Sequence, residues 1–91
     1  MNWSGKQLKA LHQALLSAYP AEAKLQRMLR IEMDLQLNAV AGGESYGDKL
    51  FSLIQAMKAE GLLPELLAAA YRKNPGNPKL RAFVTEFQDS S

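Results

Sequence analysis

Apolar positions along the chain recur at spacings of three, four and one, the pattern of a helix that buries one face, and nowhere in strict alternation. The first such run joins Leu8, Leu11, Leu15, Leu16 and Tyr19 into one stripe on a helix of about four turns. Its start is written just upstream. Ser4 and Gln7 have the spacing of a capping box, in which the serine hydroxyl takes the Gln7 backbone N–H and the glutamine side chain reaches back to Ser4. Trp3 and Leu8 occupy the staple positions across that cap. Pro20 forbids continuation, because the residue before a proline is driven out of the helical region.

Pro20 can itself open a second helix, where its missing N–H would be unpaired anyway. Leu25, Met28 and Leu29 form the buried face of that helix, with Ile31 and Met33 as further members. Asp34 or Asn38 is placed to cap a short third helix through Leu35, Leu37 and Val40, ended by Gly42-Gly43. Glu44-Ser45-Tyr46-Gly47 reads as a connection. Leu50, Phe51, Ile54 and Met57 then define a fourth helix that stops at Gly61. Pro64 opens a fifth, with Leu63, Leu66, Leu67, Ala70 and Tyr71 as its stripe and Ala68 and Ala69 allowing close approach of a neighbour. In Asn74-Pro75-Gly76-Asn77-Pro78 one helix ends and another begins, Asn77 as its cap and Pro78 at its first position. Leu80, Phe83, Val84 and Phe87 form the last stripe, and 89–91 are a polar tail or the start of a linker.

Five or six short amphipathic helices cannot each bury a face alone, so the expected fold is an all-α, compact antiparallel bundle. With 91 residues, of which 47% are hydrophobic and 22% charged, the chain has the make-up of one globular domain, expected over 1–88. Cysteine is absent, which rules out disulfides and thiolate metal sites and suits a reducing compartment; the cytoplasm is the expected location. No apolar run reaches the roughly 20 residues of a membrane span.

The order of these residues carries a family resemblance. Gly5-Lys6-Gln7-Leu8, Leu11, Ala14-Leu15-Leu16, Tyr19-Pro20, Leu25 and Met28 resemble the opening of the bacterial effector-associated domain, first type. Phe51-Ser52-Leu53-Ile54, Ala59-Glu60-Gly61, Leu66-Leu67-Ala68-Ala69-Ala70 and the proline-bracketed Asn74-Pro75-Gly76-Asn77-Pro78-Lys79-Leu80 with Phe83 match its second half. After Ile54, where the family commonly carries a tryptophan, this chain has Gln55-Ala56-Met57. The resemblance implies a death-like fold of six helices. It also implies an adaptor role in bacterial conflict or antiphage defence systems, recruiting or clustering effectors by like-with-like association.

Candidate chemistry changes little. His12 is the single histidine, so a metal site would lack a second imidazole as well as any thiolate, and three or four converging ligands are needed. A nucleophile and base would have to be assembled from His12 and Ser4, Ser17, Ser45 or Ser52, with no motif around any of them. The glycines carry no phosphate-loop spacing. Neither an enzyme nor a cofactor carrier is expected.

Charge placement is the remaining signal. Residues 1–30 hold Lys6, Lys9, Lys24, Arg27 and Arg30 against Glu22, whereas 31–65 hold Glu32, Asp34, Glu44, Asp48, Glu60 and Glu65 against Lys49 and Lys58. Lys24, Arg27 and Arg30 follow one another at three-residue spacing, along one ridge of a helix. The candidate protein interface therefore comprises a basic side (Lys6, Lys9, Lys24, Arg27, Arg30) and an acidic side (Glu32, Asp34, Glu44, Asp48), meeting a related domain or a second copy. The alternative is a small basic nucleic-acid module using the same stripe with Arg72, Lys73, Lys79 and Arg81 against phosphates. The net charge of +2 and the acidic middle favour the protein partner.

Overall fold

A computed structural model describes residues 4–90, the last four of these by their backbone. Six helices follow one another: α1 (Gly5–Ala18), α2 (Glu22–Met33), α3 (Leu37–Val40), α4 (Tyr46–Glu60), α5 (Leu63–Lys73) and α6 (Pro78–Ser90). No strand occurs among the described residues, and the all-α bundle expected from periodicity is what forms.

The caps explain most of the boundaries. At α1 the capping box is complete, with Gln7 N donating to Ser4 Oγ at 3.1 Å and Ser4 N to Gln7 Oε1 at 2.9 Å. Trp3, the expected staple partner of Leu8, lies outside the described residues. At α4 the cap is Ser45, whose Oγ accepts from Asp48 N at 3.2 Å, so Tyr46 and Gly47 belong to the helix rather than to the connection before it. Gly61 ends α4 in the left-handed region, at φ 72°. At α6, Asn77 Oδ1 accepts from Leu80 N at 2.9 Å and Pro78 is the first residue. That helix runs on through Ser90, past the start of the expected polar tail; the side chain of Phe87 lies outside the described residues.

Two boundaries differ from expectation, each for a local reason. The second helix starts at Glu22 instead of Pro20, with Ala21 extended at φ −104° and ψ 131°. Tyr19 is tied down at both its hydroxyl and its carbonyl, so the chain has to leave that anchor extended before it can turn. Asp34 caps nothing downstream: it is the left-handed stop of α2 at φ 54° and ψ 41°, followed by a Leu35 N to Leu29 O bond of 3.1 Å. Aspartate is among the few residues with a side chain that enter this region readily. The third element shrinks to a single turn, entered through Gln36 without a side-chain cap.

Packing follows from the stripes. α1 lies against α6 and α4, α2 against α5, α3 against α4 and α2, and α5 also against α4 and α6. Leu11, Leu15, Leu25, Leu29, Leu37, Leu50, Leu53, Ile54, Leu63, Leu66 and Leu80 are all enclosed, so every helix contributes to one core. That core is aliphatic, and among the described residues it contains no buried charged or amide side chain. In α4 the buried stripe is Leu50, Leu53, Ile54 and Met57; Leu53 takes the place expected of Phe51. In α2, Leu25, Met28 and Leu29 are buried, Met33 is partly buried, and Ile31 is not.

The polar contacts gather where α1 ends. Tyr19 Oη donates to the Ala70 carbonyl of α5 at 2.8 Å, and Tyr46 Oη of α4 donates to the Tyr19 carbonyl at 2.6 Å. Asn74 Nδ2 donates to the Ala18 carbonyl at 2.8 Å, and Asn77 Nδ2 reaches Ser17 Oγ at 3.3 Å. The last carbonyls of a helix have no partner within it; here side chains from α4 and from the α5–α6 turn supply them. Burial pushes the Tyr19 phenol up to about 12, helped by Glu32, and burial likewise pushes Tyr46 up to about 12, helped by Glu22 and Tyr19.

Two predictions follow from these contacts. Gly43 sits at φ 152°, and a Cβ there would lie 2.8 Å from Asp48 Cβ and 2.9 Å from Lys49 N. Gly43→Ala is therefore expected to cost about 1–3 kcal/mol in chemical denaturation. Gly42→Ala, with nothing within 4 Å, is expected to be near neutral. The second concerns alkali. Both phenols favour the protonated form when folded, so their contribution is complete below the ordinary value of 10 and is lost as pH rises from 10 to about 12. Unfolding titrations should show stability falling across that window, with a shallower fall in Tyr46→Phe.

Candidate protein-interaction face

Among the described residues no three His, Cys, Asp or Glu side chains gather as a metal site, and no helix is long and apolar enough to cross a membrane. His12 has a structural task. Its Nε2 lies 2.9 Å from the Gly47 carbonyl, and its ring meets the Phe51 ring edge to face at 5.9 Å. A ring nitrogen bonded to a carbonyl must carry the hydrogen, so Nε2 is not available as a base. Ser4 and Ser45 are occupied as caps and Ser17 bonds Asn77; none is brought to His12 as a nucleophile.

The expected interface residues separate into four places. Lys6 and Lys9 are exposed on α1, which packs on α6 and α4. Lys24, Arg27 and Arg30 are exposed on α2, which packs on α5. These two basic groups thus stand on helices with different neighbours. The α2 group has company that the sequence order conceals. Tyr19, Lys24, Arg27, Met28, Ile31 and Lys73 line one shallow cleft, and Ala23, Gln26, Arg27, Arg30 and Ile31 line another beside it. The outer side of α2 is therefore a cationic surface with an apolar centre, Ile31, to which α5 adds Lys73.

The acidic side does not assemble into one face. Glu32 is turned to α5, paired with Arg72 and, at 3.9 Å, with Lys73. It clamps α2 to α5 and leaves the solvent-facing surface of α2 to the cations. Asp34 is exposed at the C-terminal stop of α2, near the basic group. Only Glu44 and Asp48 stand together, at the start of α4, both exposed. Asp48 and Phe51 are three apart on α4 and share a side of it, which gives the acidic pair an apolar neighbour. Lys49 is not part of this surface: it bridges Glu22 at 3.4 Å and Asn38 Oδ1 at 3.3 Å, joining α4 to α2 and α3. None of the ion pairs among the described residues involves Lys24, Arg27, Arg30, Glu44 or Asp48.

Ile31 and Phe51 are the residues that sequence reasoning assigned to the core and the structure places outside, at 60% and 46% exposure. A signal for Ile31 existed. At about 100° per residue, it falls between Lys24 and Arg27, about 60° from Met28 and about 120° or more from Leu25 and Leu29. Phe51 lies at the edge of its stripe, where Leu53 competes for the inward position. Lys73 gave no signal, because only the α2–α5 contact brings it to the cleft.

Among the described residues the geometry defines a small six-helix domain with exposed apolar side chains and unpaired charges on its outer helix faces. The family model described as effector-associated domain 1 matches residues 1–88, and the chain belongs to that family. No curated protein and no solved structure matches it.

Exposure predicts the energetics of this face. Ile31→Ala and Phe51→Ala are expected to lower stability by less than about 1 kcal/mol, against about 2–5 kcal/mol for Leu29→Ala and Leu53→Ala in the core. Urea denaturation of the four variants checks the contrast.

Proposed function

We propose that this domain is a protein–protein adaptor, which recruits or clusters effector proteins in a bacterial conflict or antiphage system by association with a related domain. One observation carries the proposal: Lys24, Arg27 and Arg30 stand unpaired around exposed Ile31, while the acid that could have neutralised them, Glu32, is drawn to α5. A set of charges with no intramolecular partner around an apolar centre is the composition of a protein interface, where the apolar group anchors and the charges orient. Membership of a family named for its association with effectors agrees with this. An adaptor needs no chemistry of its own. Bringing a tethered effector to its partner raises the local concentration to roughly millimolar, and that is sufficient for recruitment. The bacterial cytoplasm is the compartment this role requires.

Reversing the stripe tests the proposal. Arg27→Glu with Arg30→Glu should abolish binding to another effector-associated domain in a titration, with helical content unchanged by circular dichroism. Unaltered binding would remove the stripe from the interface. Generic duplex DNA serves as the competing probe: salt-sensitive binding near micromolar strength, lost in the same variant, would replace the adaptor by a nucleic-acid module.

A further inference from the structure

Ile31 and Phe51 are the two large apolar side chains that stand exposed among the described residues, and their surroundings are opposite in charge. Around Ile31 are Lys24, Arg27, Arg30 and, across the cleft, Lys73. Beside Phe51 on α4 is Asp48, with Glu44 just before the helix; both are exposed and outside the ion pairs among the described residues. The two patches share no residue. One lies on α2 with Tyr19 and α5, the other on α4 against His12 of α1.

We infer that these patches are the two halves of a single contact, in which the Ile31 face of one copy docks on the Phe51 face of the next. This rests on the proposed association of like domains and names its surfaces and its geometry. Each half has a side chain able to anchor the other. The charges around them attract across the contact, three unpaired cations, Lys24, Arg27 and Arg30, against two carboxylates. Docking Ile31 face on Ile31 face would set cation against cation, so a two-fold arrangement through this patch is disfavoured. The Phe51 side is also preorganised, since the ring lies against His12, itself held by the Gly47 carbonyl. A contact between two different patches leaves one free patch of each kind at the ends of any pair. The assembly is head to tail, and it closes into a ring or grows as a filament.

The complementary-variant experiment tests this on the full chain. Solution mass is followed by light scattering or sedimentation from about 10 µM to about 1 mM, because a contact this small is weak. The wild-type mass should rise with concentration past two copies. Ile31→Arg alone and Phe51→Glu alone should each remain a single copy with unchanged helical content. Mixed in equal amounts they should form a two-copy species and nothing larger, because each variant keeps the face the other lacks. Where Phe51→Glu loses helical content, Glu44→Lys with Asp48→Lys takes its place. A mixture that stays single-copy overturns the inference, as does either variant assembling like the wild type or a wild-type mass that stops at two. A wild type that stays single-copy yet binds a different effector-associated domain, sensitive to Arg27→Glu with Arg30→Glu, overturns this geometry and leaves the adaptor reading standing. Binding neither overturns both.

Discussion

Two backbone carbonyls and one phenol near the end of α1 hold the arrangement of the other helices. Ala18 O receives Asn74, Tyr19 O receives Tyr46, and the Tyr19 hydroxyl reaches Ala70 O in α5. Helix ends leave such carbonyls without partners, and shielding them from water is costly unless side chains replace the lost bonds. Because the replacements come from α4 and from the turn between α5 and α6, while the Tyr19 hydroxyl reaches out to an α5 carbonyl, the end of α1 is tied to all of these elements. The same anchor explains why α2 starts late. With Tyr19 held at its ring and its carbonyl, the chain passes the corner with Ala21 extended before α2 begins at Glu22.

The aliphatic core supplies the complementary, non-directional term. Leucines from all six helices fill it, and burial of that surface is the main favourable contribution to folding. Leucine alone specifies orientation poorly. Directionality comes from the margin: the tyrosine and asparagine bonds at the end of α1, the His12 to Gly47 contact between α1 and α4, the Lys49 bridge to Glu22 and Asn38, and the Glu32 clamp on Arg72 and Lys73. The last of these has a functional consequence. By taking Glu32 inward, the α2–α5 packing leaves the outer side of α2 cationic around Ile31.

The Tyr19 and Tyr46 hydroxyls and the Ser4, Ser45 and Asn77 caps are committed to backbone groups, and His12 holds α1 to α4. Exposed charges outside the ion pairs among the described residues flank the two exposed apolar side chains, Ile31 on α2 and Phe51 on α4.

Much of this was legible along the chain. Ser4 with Gln7, Gly61 and Asn77 with Pro78 set helix boundaries through bonds to residues three or four positions away, and such local geometry is contained in residue order. The helical period likewise chose the leucines that become the core, and the proline-bracketed turn pointed to the family. Other features depend on contacts between residues far apart in sequence. Periodicity could not decide between Leu53 and Phe51, or send Ile31 outward, because a stripe defines a direction on one helix while its neighbours determine how wide the buried sector is. Residue counting grouped Glu32 with Asp34, Glu44 and Asp48; the α2–α5 contact paired it with Arg72 and Lys73, 40 and 41 positions later. The sequence by itself determined the order of helices, the caps at Ser4, Gly61 and Asn77, most of the apolar core and the family resemblance. The tertiary structure decided which charges are spent inside the molecule and which face outward, because the electrostatic partner of a side chain is set by distance in space and not by separation along the chain.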